Sequence, residues 1–139
     1  MDPLLAAVGV SQKGLAAQST RMRIVSENLA NANTTGPTAG SDPYQRKTIS
    51  FEAAFSEALG ADAVEVAAIG RHPAPFRVQH DPGHPAADEK GDVKMPNVDP
   101  VIELGDMREA LRSYQANLQM IKSAREAISM TIDLLRSGG

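Results

Sequence analysis

The sequence predicts a mainly α protein in which long N- and C-terminal helices pack coiled-coil-like, with a small β-rich insertion between them. Three observations carry that prediction. Asp2-Pro3 and Asp99-Pro100 each have the form of a helix start. An Asp side chain accepts hydrogen bonds from first-turn amides, and proline's fixed φ and missing N–H suit the first helical position. From Asp99 onward, Leu104, Met107, Leu111, Tyr114, Leu118, Ile121, Arg125, Ile128, Ile132 and Leu135 recur three and four residues apart, apolar at every step except Arg125. A seam sustained over more than four heptads is the pattern of helix-on-helix packing. Between the ends, Pro43, Pro73, Pro75, Pro82, Pro85 and Pro96 cut the chain into short apolar runs that no long helix could contain. The expected divisions are therefore residues 1–36 for the N-terminal helix, 37–98 for the insertion and 99–139 for the C-terminal helix.

The N-terminal helix repeats the heptad less well. One column holds Val8, Leu15, Met22 and Leu29, and the other holds Ser11, Gln18, Val25 and Ala32. Gly9 and Gly14 each cost about 1 kcal/mol relative to alanine in a helix interior, so the helix should fray unless something packs on it. It should end within SENLANANTTG, Ser26 to Gly36, because asparagine competes with the helical backbone for hydrogen bonds and favours caps and turns. Asn28, Asn31 and Asn33, set among small apolar residues, are expected to offer their amides to a partner surface.

In the insertion, Gly36–Asp42 reads as a flexible loop. Lys47–Phe51, Val64–Ile69, Phe76–His80 and Val93–Met95 read as strands, with a short helix over Phe51–Leu59. The C-terminal helix should run about 50 Å. Its seam is longer than an insertion of about 60 residues can cover, so another surface must cover it.

Composition narrows the function. The chain has 139 residues, 42% of them hydrophobic, with three Phe, two Tyr and no Trp, which excludes a large aromatic core. A net charge of −3 and a pI near 5.6 supply no basic patch for nucleic acid or for an anionic membrane surface. No apolar run nears the roughly 20 residues of a membrane span, and the start lacks the pattern of a cleaved signal peptide. Without cysteine there is neither a disulfide nor a thiolate metal site.

The one cluster that resembles a site is RHPAPFRVQHDPGHPAADE, holding His72, His80, Asp81, His84 and Asp88. A metal-binding module or hydrolase built on His72, His80 and His84 is the alternative it offers. Pro82 and Gly83 argue instead for a turn, with Asp81 bonding nearby amides. No nucleophile elbow, phosphate-binding glycine loop or carboxylate pair is present, so the reading is a non-enzyme with no cofactor and no metal. Asn33-Thr34-Thr35 matches the glycosylation triplet, a pattern that often arises at random. A soluble coiled-coil adaptor is the third class open to such a chain.

AAQSTRM and SENLANANTTG near the start, PYQRK at Pro43–Lys47, PFRVQHDPGHP at Pro75–Pro85, PNVDPVIE at Pro96–Glu103 and REALRSYQANLQM at Arg108–Met120 together carry a resemblance. Over nearly its whole length the chain resembles the bacterial flagellar basal-body proximal-rod family. DPGHP and PNVD point to that family in particular, whereas the first and last stretches resemble flagellar axial proteins at large. His80 and Asp92 stand where the resemblance leads one to expect aromatics.

The resemblance implies a structural subunit exported unfolded through the flagellar type III apparatus, without a cleaved signal. It further implies contact with basal-body components at the rod base and stacking with other rod subunits and with copies of itself into a drive shaft that crosses the periplasm, transmits torque and encloses the export channel. On that reading the apolar seams and the three asparagines are assembly surfaces, and Arg125 sets register between subunits.

Overall fold

A computed structural model describes residues 2–138. Helix α1 runs Pro3–Ala30 and helix α2 runs Pro100–Ser137, with strands β1 (Lys47–Ser56), β2 (Ala61–Arg71), β3 (Arg77–His80) and β4 (Asp92–Met95) between them. Two long terminal helices with a small antiparallel strand insertion is therefore the architecture. Both helix starts form as the Asp-Pro pairs predict: Asp2 Oδ1 accepts the Leu4 amide at 2.7 Å, and Asp99 Oδ1 accepts the Val101 amide at 3.0 Å.

β1, β2 and β4 are longer than the expected runs, and β3 is one residue shorter. The expected helix over Phe51–Leu59 does not form, because β1 continues through it to Ser56 and turns at residues 57–60. Phe51, Phe55 and Leu59 are spaced four apart, which mimics a helical stripe. Pairing with β2 favours the extended chain, and Gly60, at φ +66°, supplies the left-handed residue that turns it back. β1 pairs with β2 in one two-stranded sheet, and β3 with β4 in another. The second sheet is antiparallel, with Arg77 opposite Met95 and His80 opposite Asp92.

The chain divides into two compact units. The first gathers residues up to Met22, Ser50–Ala68 and everything from Arg108 onward. Here α1 and α2 run antiparallel, since a side chain at Gly14 would meet Asn117 at 2.6 Å while Arg21 reaches Glu109 at 3.2 Å. Ser11, Ala17, Ala63, Ala110, Ile121 and Ala124 form its buried interior. The hairpin lies on α1: Leu59 occupies the space that a Cβ at Gly9 would need, and Lys13 approaches Glu65 at 3.8 Å. Both glycines that weaken α1 are thus sites of close approach, which only a residue without a side chain permits.

The second unit holds Arg23–Ile49 and Ile69–Met107. Ile24, Val25, Asn28, Ala32, Ala86, Val93, Pro96, Val98 and Glu103 are buried in it. The Asp81–His84 turn is closed by the His84 amide donating to the Asp81 carbonyl at 3.1 Å. The carboxylate that binds neighbouring amides is Asp88, whose Oδ1 accepts from Lys90 at 2.8 Å and Asp92 at 3.0 Å. Those amide bonds, led by that from Asp92, hold its pKa below the ordinary value. Loop 36–42 is tied down, with Ser41 Oγ donating to the Thr38 carbonyl at 2.6 Å and accepting the Thr38 amide at 3.1 Å.

Candidate assembly interface

Each helix carries heptad columns, and the column at which α1 and α2 approach most closely is a small and polar one. On α2, Glu103, Ala110 and Ala124 are buried and Asn117 is half-buried. On α1 the corresponding residues are Gly14, Arg21 and Asn28. Small residues there let the backbones approach closely.

The large apolar residues of the expected seam divide in two. Met107, Tyr114, Ile121 and Ile128 are buried or half-buried. Leu104, Leu111, Leu118, Arg125, Ile132 and Leu135 are exposed, Leu111 by 44% and Leu118 by 37%. On α1, Val8, Leu15, Met22 and Leu29 are all half-buried.

One residue onward along a helix is a rotation of about 100°. In an antiparallel pair, that rotation from the contact column carries both helices to the same side. Leu15 and Met22 therefore join Leu111 and Leu118 on one apolar face of the first unit. By equal rise from the Gly14–Asn117 contact, Pro3 is level with Ile128. From Ser129 to Ser137 every residue of α2 is exposed.

The asparagines correct an expectation. Asn28 lies inside α1 and is 1% exposed, so its amide cannot meet another molecule. Its Oδ1 accepts the Lys47 amide at 2.9 Å and the Tyr44 hydroxyl at 2.7 Å, while Nδ2 donates to the Lys47 carbonyl at 2.9 Å and to Glu103 Oε2 at 3.3 Å. The side chain thus pairs with one residue of β1 as a neighbouring strand would. Asn31 turns its Nδ2 back to the Glu27 carbonyl at 2.8 Å and accepts the Thr34 hydroxyl on Oδ1 at 3.0 Å, closing the helix end. Asn33 is exposed.

Around Asn28 a polar junction forms. Glu103 is fully buried, and its Oε1 accepts from Arg46 Nε. The Arg46 guanidinium also reaches Asp106 at 3.3 Å, and the Arg46 amide donates to Asn97 Oδ1 at 2.8 Å. Asn97 Nδ2 donates to the carbonyls of His72 and Ala74, each at 3.0 Å. Lys47 Nζ lies 2.8 Å from Glu27, and that hydrogen bond chiefly holds the Glu27 pKa below the usual carboxylate value, with Arg23 adding to it. Burial pushes the Tyr44 phenol upward.

Three of the sequence stretches quoted above, SENLANANTTG, PYQRK and PNVDPVIE, meet in this junction. It fixes the end of α1, the start of β1 and the start of α2 to one another. Sequence reading missed it because its members are distant in the chain. Neither Asn28 nor Glu103 lies in the apolar columns, each standing one residue before a column member, so periodicity gave no signal for them.

The three histidines serve separate ends. His72 gives its carbonyl to Gln45 at 2.8 Å and to Asn97. His80 Nδ1 lies 3.1 Å from Asp92, and His84 Nδ1 accepts the Ala86 amide at 3.0 Å. Among the described residues, no three His, Cys, Asp or Glu side chains are placed to hold a metal ion.

Two family models match the chain: one for the flagella basal body rod protein over residues 9–38, and one for the C-terminal part of the flagellar basal body rod FlgEFG proteins over residues 89–134. Similarity to curated proteins runs end to end. The flagellar basal-body rod protein FlgC of Agrobacterium fabrum is 53% identical over 137 residues, 99% of each chain. That of Salmonella typhimurium is 37% identical over 94% of this chain and 97% of its own. That of Borreliella burgdorferi is 31% identical over 96% and 98%.

The chain belongs to the FlgC family of flagellar basal-body rod proteins.

As a FlgC-family protein it is a structural subunit of the flagellar rod, and its apolar face is the surface to examine for assembly. The two departures from the family's expected aromatics, His80 and Asp92, are directly opposite each other in the β3–β4 ladder. This FlgC-family chain therefore carries a polar cross-strand pair there, joined by the 3.1 Å contact. Among the described residues no helix is long and apolar enough to cross a membrane.

Proposed function

We propose that the chain assembles with other rod subunits and with copies of itself into the proximal rod, a drive shaft that crosses the periplasm, transmits torque and surrounds the export channel. It reaches that place through the flagellar type III apparatus without a cleaved signal, and it works without catalysis, nucleic acid or membrane insertion. Residues 1–36 and 99–139 form the axial helical core, packed coiled-coil-like in the assembly, and 37–98 form the insertion.

One observation supports this best. The chain turns the Glu103–Ala124 and Met107–Ile128 columns of α2 to itself and leaves the leucine column uncovered, although burying an exposed leucine contributes about 1.5–3 kcal/mol. Val8, Leu15, Met22 and Leu29 on α1, and Leu104 to Leu135 on α2, are the proposed interface. Arg125 sets register along it, and Asn33 is the one asparagine of the three exposed to a neighbour. Contacts between unlike surfaces of one chain give open helical stacks, as a shaft needs.

An in-frame deletion of the gene in its own host is the direct test. The expected result is a strain without hooks that regains swimming when the gene is restored, with density for this chain in a cryo-EM map of isolated basal bodies. A deletion strain that still builds hooks and swims would overturn the reading.

A further inference from the structure

The β1–β2 hairpin and the middle of α2, from Arg108 to Arg125, carry opposite charge, and each has an uncovered apolar centre. Between Ser50 and Gly70 the acids are Glu52, Glu57, Asp62 and Glu65, with no lysine or arginine. Glu65 approaches Lys13. Glu52, Glu57 and Asp62 are exposed and meet no basic group among the described residues. Phe55, on the strand leading to the turn, is 65% exposed.

α2 as a whole balances five acids with five bases, but between Arg108 and Arg125 it holds four bases and one acid, Glu109, which pairs with Arg21. Arg108, Arg112, Lys122 and Arg125 are exposed, and none meets a carboxylate among the described residues. Arg108 and Lys122 follow Leu104 and Leu118 by four residues, a rotation of about 40° further from α1, so they rim the leucine stripe on its outer edge. Arg125 continues the stripe itself.

We propose that the acidic hairpin of one copy docks on the basic-rimmed leucine stripe of α2 in a second copy. This rests on the assembly reading above and deepens it by naming which surface of a neighbouring copy meets α2. Phe55 supplies the apolar anchor, and the charges select the pairing: hairpin against hairpin would set acid on acid, and stripe against stripe base on base. A contact between two unlike surfaces of one chain leaves each copy with one of each still free, so the contact propagates. Its charged rim makes it salt-sensitive.

The test uses the full-length chain, followed by sedimentation velocity at low ionic strength over a range of concentrations. Glu57→Arg and Arg112→Glu should each weaken self-association by about three- to tenfold, as loss and reversal of exposed ion pairs implies. The double variant should return it to near the starting value. Phe55→Ser should weaken it without changing charge, and circular dichroism checks that each variant is folded. Should Arg112→Glu fail to fold, Lys122→Glu takes its place.

Single reversals that leave association unchanged overturn the proposal, as do a double variant that fails to restore it and a chain that stays monomeric throughout. In the last two cases the stripe takes another rod subunit or a different surface. None of these failures bears on the rod assignment, which stands or falls with the deletion strain.

Discussion

The amide of Asn28 has two lone pairs and two hydrogens, and all four are used inside the chain. Replacing it with alanine strands the Lys47 backbone amide and carbonyl, the Tyr44 hydroxyl and one oxygen of the buried Glu103 at once. Each stranded buried group costs about 1–3 kcal/mol, and relaxation toward water recovers part of it. Asn28→Ala should therefore lose about 2–4 kcal/mol in urea unfolding, whereas Asn33→Ala, at an exposed turn position, should stay within about 0.5 kcal/mol. Equal effects would mean that the junction is not formed in solution. The same contrast marks the limit of sequence reading at this scale. Rules for asparagine describe caps and turns, and Asn31 obeys them by closing the helix end. Asn28 is held in a helix interior by Tyr44, Lys47 and Glu103, none of which is near it in sequence.

Among whole elements, the helices were legible from their starts and their periodicity, because capping and apolar spacing are local. What periodicity leaves open is which column faces inward. The columns through Leu15 and Leu118 attract attention by size, yet Gly14 and Asn117 make the contact, since two helices approach most closely where side chains are smallest. The hairpin was half-legible: its apolar runs marked strands, but the ladder extends past them and overrides the helical spacing of Phe51, Phe55 and Leu59. Two glycines test the packing of the helices. Gly105 sits in α2 with open space where a Cβ would go, so Gly105→Ala should gain about 0.5–1 kcal/mol from helix propensity alone. At Gly14 the same gain is set against displacement of Asn117, so Gly14→Ala should give no stabilisation. Thermal melts of both variants decide it, and a stabilising Gly14→Ala would show that α1 and α2 are not in close contact there.

At the scale of the whole molecule, stability should fall on the acid side for an identifiable reason. Glu27 and Asp88 have pKa values lowered by folding, so the stability they add is present above the ordinary carboxylate pKa and is lost as pH falls through their folded values. Tyr44 is raised, so its contribution is present below the ordinary phenol pKa and is lost as pH rises through the folded one. Lys47→Met removes the chief cause of the Glu27 shift while leaving the Lys47 backbone bonds to Asn28 in place. Urea midpoints measured from roughly pH 3 to pH 7 should then show a shallower acid loss than the parent chain, and an unchanged slope would assign that loss to other carboxylates.

The same molecule separates folding from assembly along one helix. Ala110 is fully buried against the chain itself, and Leu118, eight residues on, is 37% exposed. A carboxylate at either position is costly only where it is removed from water without a partner. Ala110→Asp should therefore unfold or strongly destabilise the monomer. Leu118→Asp should leave the monomer melt within about 1 kcal/mol of the parent, because its side chain can stay in water until a neighbour arrives. In the cell the two variants should look alike, both non-motile and without hooks, for different reasons that a melt of the purified chains reveals. If Leu118→Asp melts normally and its strain swims, the leucine column of α2 is not an interface. If it melts as poorly as Ala110→Asp, the column belongs to the chain's own core and the side that faces outward has been misassigned.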